Sequence, residues 1–311
     1  MNKIIAIASL AVLVSVAATG CGAKSAPSDS LSIADPSDPY SAYLADELLT
    51  INSASRELDY RCYADNGYPE YLEVLPAQKA NQFRSSASTP DLKTTFRSFS
   101  ESPWFSSEED ARSKGYGHTV PGLDAQVFSM DSALAKVAAD CRESTLKKTS
   151  GNEDVVSAYV QVGNSLAEAL AVIPNQAKEP GTKKVFECMD KGQYPVDPNG
   201  PNKPVGWGVD FGVPLGTEPR MPGAQDLTKG AVTKVIPAQP ALRYEPTAKE
   251  SESAAAMYRC SVETGARDDW VKIINAAKNA ALAKHEATLI ELNPKIKDLA
   301  KSAALTLQAN S

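Results

Sequence analysis

Histidine, basic runs and long apolar segments are all scarce in this chain, and each scarcity argues against a class of function. Only His118 and His285 occur, and no C-x-x-C spacing is present. A zinc site wants clustered Cys or His at short intervals, so no metal site is expected. Lysines come as pairs, Lys147-Lys148 and Lys183-Lys184, and the formal net charge is −6. That balance carries no electrostatic footprint for nucleic acid, which is not expected as a partner. The uncharged stretch Ile4–Val16 is 13 residues long, short of the roughly 20 apolar residues a membrane-spanning helix requires. Also missing are the hydrolase elbow G-x-S-x-G, H-E-x-x-H, a P-loop, an EF-hand and a dinucleotide-binding glycine pattern. No cofactor is expected on those grounds.

What is present begins with an address. Met1–Lys3 is a short positive start, Ile4–Val16 an uncharged core, and Ala17–Gly20 small and weakly polar. This order of charge, apolar core and small residues is that of an export signal, here residues 1–20. The segment Ala18-Thr19-Gly20-Cys21 resembles the lipobox of bacterial lipoproteins, with Ala18 where that family more often shows Leu. The resemblance implies cleavage before Cys21 and a diacylglyceryl (palmitate-type) group on its sulfur. The chain would then hang on the outer face of the cell membrane, with two acyl chains giving stable attachment. Lys3 is the only ionisable side chain removed, so the mature chain would stand at −7. Residues 21–39, small, polar and proline-containing, read as a flexible tether.

Four cysteines remain: Cys62, Cys141, Cys188 and Cys260. An even number in an oxidising compartment reads as two disulfides, and four cysteines allow three pairings.

Helical periodicity is the main signal in the body. Leu44, Leu48, Ile51, Leu58 and Cys62 lie on one face, with Gly67 as the stop. Pro90-Asp91-Leu92 and Ser106–Ala111 look like short helix starts. A helix is expected over 129–148, with Leu134, Val137, Ala138 and Cys141 inward, and another over 153–173. Residues 174–182 read as a linker and 183–191 as a short helix. The long stretch 192–247 is rich in proline and glycine and reads as irregular, with a short strand over 231–236. Helices follow over 249–260 and 268–292, and Asn293-Pro294 reads as the cap and first turn of a last helix.

The chain also repeats itself. Cys62-Tyr-Ala-Asp-Asn-Gly67-Tyr68-Pro69 is echoed by Cys188-Met-Asp-Lys-Gly-Gln-Tyr194-Pro195. An irregular stretch with one tryptophan follows each, Trp104 or Trp207, and each closes on a helix with a central cysteine, Cys141 or Cys260. The repeat makes Cys62–Cys141 and Cys188–Cys260 the simplest pairing. The fold class expected is mainly α with long irregular Pro/Gly-rich loops. It comprises two similar disulfide-pinned helical halves, 40–174 and 175–311, or alternatively one merged domain. The segment Cys188-Met-x-x-Gly192-x-x-Pro195, Trp104 with Gly115-Tyr116-Gly117, and Asp140-Cys141-Arg142 together resemble a group of uncharacterised secreted lipoproteins of actinobacteria. That resemblance implies no activity.

Candidate site residues are few. Of the two histidines, His118 in a turn is the better catalytic candidate, although a loop histidine without a task is the plainer reading. The acid groups Glu108-Glu109-Asp110 and Asp268-Asp269 fall at expected helix starts, where carboxylates meet the helix dipole favourably. Trp104, Tyr116, His118 and Trp207 could line a groove for a peptide, glycan or small solute; the simpler reading has the aromatics plugging the core under long loops. The expected function is a binding or interaction module anchored through Cys21, its partner an envelope protein, glycan or small solute. A cell-wall or glycan hydrolase and a structural envelope spacer are the alternatives.

Overall fold

The structure, a computed structural model, describes residues 31–84, 91–117, 119–149, 153–192, 194, 211–223 and 232–309. The signal segment 1–20, Cys21, His118 and Trp207 lie outside the described residues.

The architecture is mainly helical. A short 3-10 helix, Pro39–Ala42, leads into α1 (Ala45–Asp65), α2 (Glu70–Ala80), α3 (Leu92–Ser100) and α4 (Glu108–Lys114). Strand β1 (Gln126–Ser129) precedes α5 (Ala133–Thr149), α6 (Glu153–Ala171) and α7 (Ile173–Lys191). Three short strands follow, β2 (Val213–Leu215), β3 (Thr233–Ile236) and β4 (Arg243–Glu245). The chain ends in α8 (Ala248–Glu263) and the 44-residue α9 (Ala266–Ala309).

Local chemistry explains most boundaries. Asp91 caps α3 by accepting from the Thr94 N–H, and Ser107 caps α4 by accepting from the Asp110 N–H. Thr247 and Glu250 form a reciprocal capping box at the start of α8. Gly67 ends α1 at φ +99°, a conformation glycine adopts freely.

Three sequence expectations are corrected, and one helix is added. Residues 174–182, expected as a linker, lie within α7. Pro174 sits in the first turn, where its missing N–H is no loss, and Pro180 is carried inside the helix. Residues 70–80 form α2, a stretch for which the sequence reading gives no element. Asn293-Pro294 does not start a new helix: α9 runs through it. Asn293 is engaged elsewhere, donating to the Ala42 carbonyl and accepting from the Tyr159 hydroxyl at 2.7 Å. Finally, the tether does not reach residue 39. Leu31 packs on the largest core, Asp38 caps the 3-10 helix, and Lys278 holds Asp38 at 2.8 Å.

The two disulfides are Cys62–Cys141, joining α1 to α5, and Cys188–Cys260, joining α7 to α8. Both span 5.7 Å between Cα atoms. The two cysteine-to-tyrosine segments also share a backbone hydrogen bond. In each copy the tyrosine six residues after the cysteine donates its N–H to the carbonyl just after that cysteine: Tyr68 to Tyr63 at 3.1 Å, Tyr194 to Met189 at 3.0 Å. This is the hydrogen bond by which a helix end satisfies a free carbonyl.

The halves interlock, and residues 31–311 cluster as one compact unit. One small core surrounds each disulfide, the first formed by α1, α2 and α5, the second by α7, α8 and α9. A larger core, with Leu48, Tyr159, Leu166, Leu289 and Ile296, is shared by α1, α3, α6 and α9. Trp104, from the first half, is buried in the second half's core. In return, β3 of the second half pairs antiparallel with β1, and Val235 packs on the first half's core. The bridges Val120↔Leu242 and Leu123↔Gln239 continue the β1–β3 register without slippage. A single two-stranded ribbon therefore runs from Val120 to Ser129, and it fastens the irregular stretch of one copy to that of the other.

Candidate functional site

Of the aromatic residues that sequence singles out, Trp104 and Tyr116 are drawn into the core. Trp104 is 3% exposed and meets Trp270 edge-on with centroids 6.5 Å apart. A Cβ on Gly181 would stand 2.7 Å from its ring, so the α7 glycine is what lets the indole seat. Arg267 donates to the carbonyls of Trp104 and Phe105 and fixes the segment to α9.

Tyr116 packs on the same core. Its N–H donates to Glu250 Oε1 at 2.7 Å, its hydroxyl lies 2.9 Å from Ser253 Oγ, and burial pushes its phenol pKa up to about 12. Glu250 is fully buried and also accepts from the Gly212 N–H and the Tyr244 hydroxyl. The glycines around Tyr116 make this approach feasible. A Cβ on Gly115 would fall 2.5 Å from Glu250 Oε1, and one on Gly117 2.1 Å from the Tyr244 ring. The structure thus brings Trp104 and Tyr116 to one core as packing elements.

The acid groups act at helix starts. Glu108 pairs with Arg112 at 2.9 Å and Arg259 at 2.6 Å, and these guanidinium partners hold its carboxyl below the usual range. Asp268 and Asp269 lie in the first turn of α9. His285 is half-buried on α9, its Nε2 3.0 Å from Ser165 Oγ. Among the described residues, no three His, Cys, Asp or Glu side chains group as a metal site would need.

A different place has the properties of a ligand site. Between α1, α5 and α6 lies a pocket of about 260 Å³. Its wall on α1 is a stripe at helical spacing: Leu48, Ile51, Asn52, Ser55 and Asp59. Val156 and Val160 of α6 face it, and Arg142 and Thr145 of α5 close its polar end. Asn52 is 8% and Asp59 2% exposed, and both carry an orphan atom: Asn52 Nδ2 and Asp59 Oδ1 have no hydrogen-bond partner. Buried polar atoms are rarely left so, because each costs about 1–3 kcal/mol.

The electrostatics single out Asp59. Desolvation raises its pKa, against the opposing pull of the Thr145 hydrogen bond and the charges of Arg56 and Arg142. Arg56 approaches only to 3.6 Å. Glu57, two residues earlier on the same helix, makes the contrast. It is equally buried and its Oε2 likewise has no hydrogen-bond partner, but it is paired with Arg61 at 2.6 Å and Lys79 at 3.0 Å. One carboxylate is engaged by two cations; the other borders an open volume. Sequence reasoning passed over this site, although a signal existed: Asn52 and Asp59 interrupt the same stripe that carries Leu48 and Ile51.

Comparison with protein-family models, with curated proteins and with solved structures finds no match to this chain.

Proposed function

We propose that this chain is an exported lipoprotein, cut before Cys21 and held by lipid on that residue to the outer face of the cell membrane. Its helical body serves there as a binding module for a small solute. The observation that carries the binding reading is the α1–α5–α6 pocket with two buried, unpartnered polar atoms in its wall. The order of charge, apolar core and small residues before Cys21 supports the address. Two disulfides are in keeping with an oxidising compartment.

A glycan hydrolase fits the pocket less well. Glycoside cleavage generally uses two carboxyl groups flanking the bond, and Asp59 is the single carboxylate among the pocket's described lining. A pure spacer would have no use for orphan donors and acceptors in a cavity.

The address is tested by mass spectrometry of the mature N-terminal peptide and by fractionating Cys21→Ser. The peptide should begin at an acylated Cys21, and the variant should be unprocessed or released from membranes. Normal cleavage with retention at the membrane would refute the lipid anchor.

A further inference from the structure

We infer that the pocket between α1, α5 and α6 binds a small zwitterion of the aliphatic α-amino acid class. This deepens the binding-module reading and rests on it.

Three features define what would fit. The first is charge. The charged residues lining the pocket are Arg56, Arg142 and Asp59, so two cations face one anion. A ligand carboxylate would complement the guanidinium groups, and a neighbouring ammonium would complement Asp59. The second is the pair of orphan atoms. Asn52 Nδ2 needs an acceptor and Asp59 Oδ1 needs a donor. A zwitterion carries both an acceptor and a donor; a simple amine or a simple acid carries one. The third is the apolar end, where Leu48, Ile51, Val156 and Val160 would bury an aliphatic side chain and little more. The volume, about 260 Å³, lies just under the range of roughly 300–1,000 Å³ that accommodates larger ligands.

The internal repeat provides a control. Counting from the first cysteine of each copy, Asp59 falls where Val185 stands; counting from the second, Arg142 falls where Ser261 stands. Val185 and Ser261 are both fully buried, and Val185 packs in the core around the second disulfide. The repeated architecture therefore closes with an apolar and a small residue at these places. The charged pair in the first copy is not demanded by the fold.

The test is calorimetric titration of the intact mature protein, disulfides formed, with three probes: L-leucine, 4-methylpentanoate, which lacks the ammonium, and 3-methylbutylamine, which lacks the carboxylate. Leucine should bind with a Kd below about 1 mM and at least about tenfold more tightly than either analogue. Arg142→Ala, at an exposed position, should weaken leucine by about tenfold or more with the melting temperature unchanged. Val160→Trp, which fills the pocket, should abolish binding, with circular dichroism checking that it folds. If an analogue binds as tightly as leucine and Val160→Trp removes it, the zwitterion assignment falls and the binding module stands. If none of the three binds, both fall. Leucine binding indifferent to both substitutions would place it elsewhere and overturn the site.

Discussion

Truncating Trp104 to alanine tests whether the two halves form one cooperative body. The indole is contributed by the chain between α3 and α4, yet it meets Trp270 of α9 and shares its core with Val185 and Met189 of α7, Met257 of α8 and Ile274 of α9. A buried tryptophan removes about 150–250 Å² from water, and at about 25 cal/mol per Å² this is about 4–6 kcal/mol as an upper value. Large-to-small core substitutions of this type cost about 3–5 kcal/mol. The two figures meet near 4 kcal/mol, a large share of a typical total stability of about 5–15 kcal/mol. Urea unfolding followed by far-UV circular dichroism should show a single transition, its midpoint displaced by that amount. Amide exchange in α1 and α5, which Trp104 does not belong to by sequence, should accelerate as well, because the halves share the core built from α1, α3, α6 and α9. Trp104→Phe should retain more than half of the loss. Unchanged protection in α1 and α5, or a second transition in which the first half melts at its original midpoint, would refute the interlocked reading.

Three further outcomes are expected. Replacing Cys188 and Cys260 together by alanine frees a separation of 72 residues, worth about 4.4 kcal/mol in the chain-entropy treatment; denaturant midpoints should fall accordingly, and a loss below about 1 kcal/mol would count against it. Gly117→Ala should cost about 1–3 kcal/mol, since the new Cβ meets a Tyr244 ring whose hydroxyl is tied to Glu250; an unchanged melting temperature would show that Tyr244 yields freely. Asp59 has a raised pKa in the folded chain, so the native state holds its proton more tightly than the unfolded state does. The stability it contributes is whole below the ordinary carboxylate pKa of about 3.9 and is lost as pH rises through the folded value. Asp59→Asn should flatten that decline, as read from unfolding free energies across a pH series, and an unaltered slope would remove Asp59 as its source.

Much of the helical framework was legible because period and punctuation agree there. Asp91 and Ser107 act as the caps their positions suggest, and the apolar stripes of α1 and α6 face the shared core. The disulfide pairing was legible through the repeat. What stayed hidden depends on contacts distant in sequence. Local rules end a helix at Pro174 and start one at Asn293-Pro294. Yet α7 continues because its face is needed against Trp104 and α8, and α9 continues because Asn293 is drawn to Ala42 and Tyr159. The pocket was overlooked because attention to histidines and acid pairs passes over a lone aspartate on an apolar stripe.

The exchange of segments between copies follows from what proline- and glycine-rich chain can and cannot do. Such segments make few regular hydrogen bonds of their own, so their backbone groups must find partners elsewhere. In one copy the stretch 120–129 finds them in the other copy's 233–242, in one unbroken register. Trp104 then enters the core around the second disulfide, and Val235 of β3 packs on the core around the first. Two separated halves would expose both cores at once. The continuity of the chain is thus what keeps the complementary segments at hand. The first half holds a charged pocket at Asp59 and Arg142, whereas Val185 and Ser261 of the second half are fully buried.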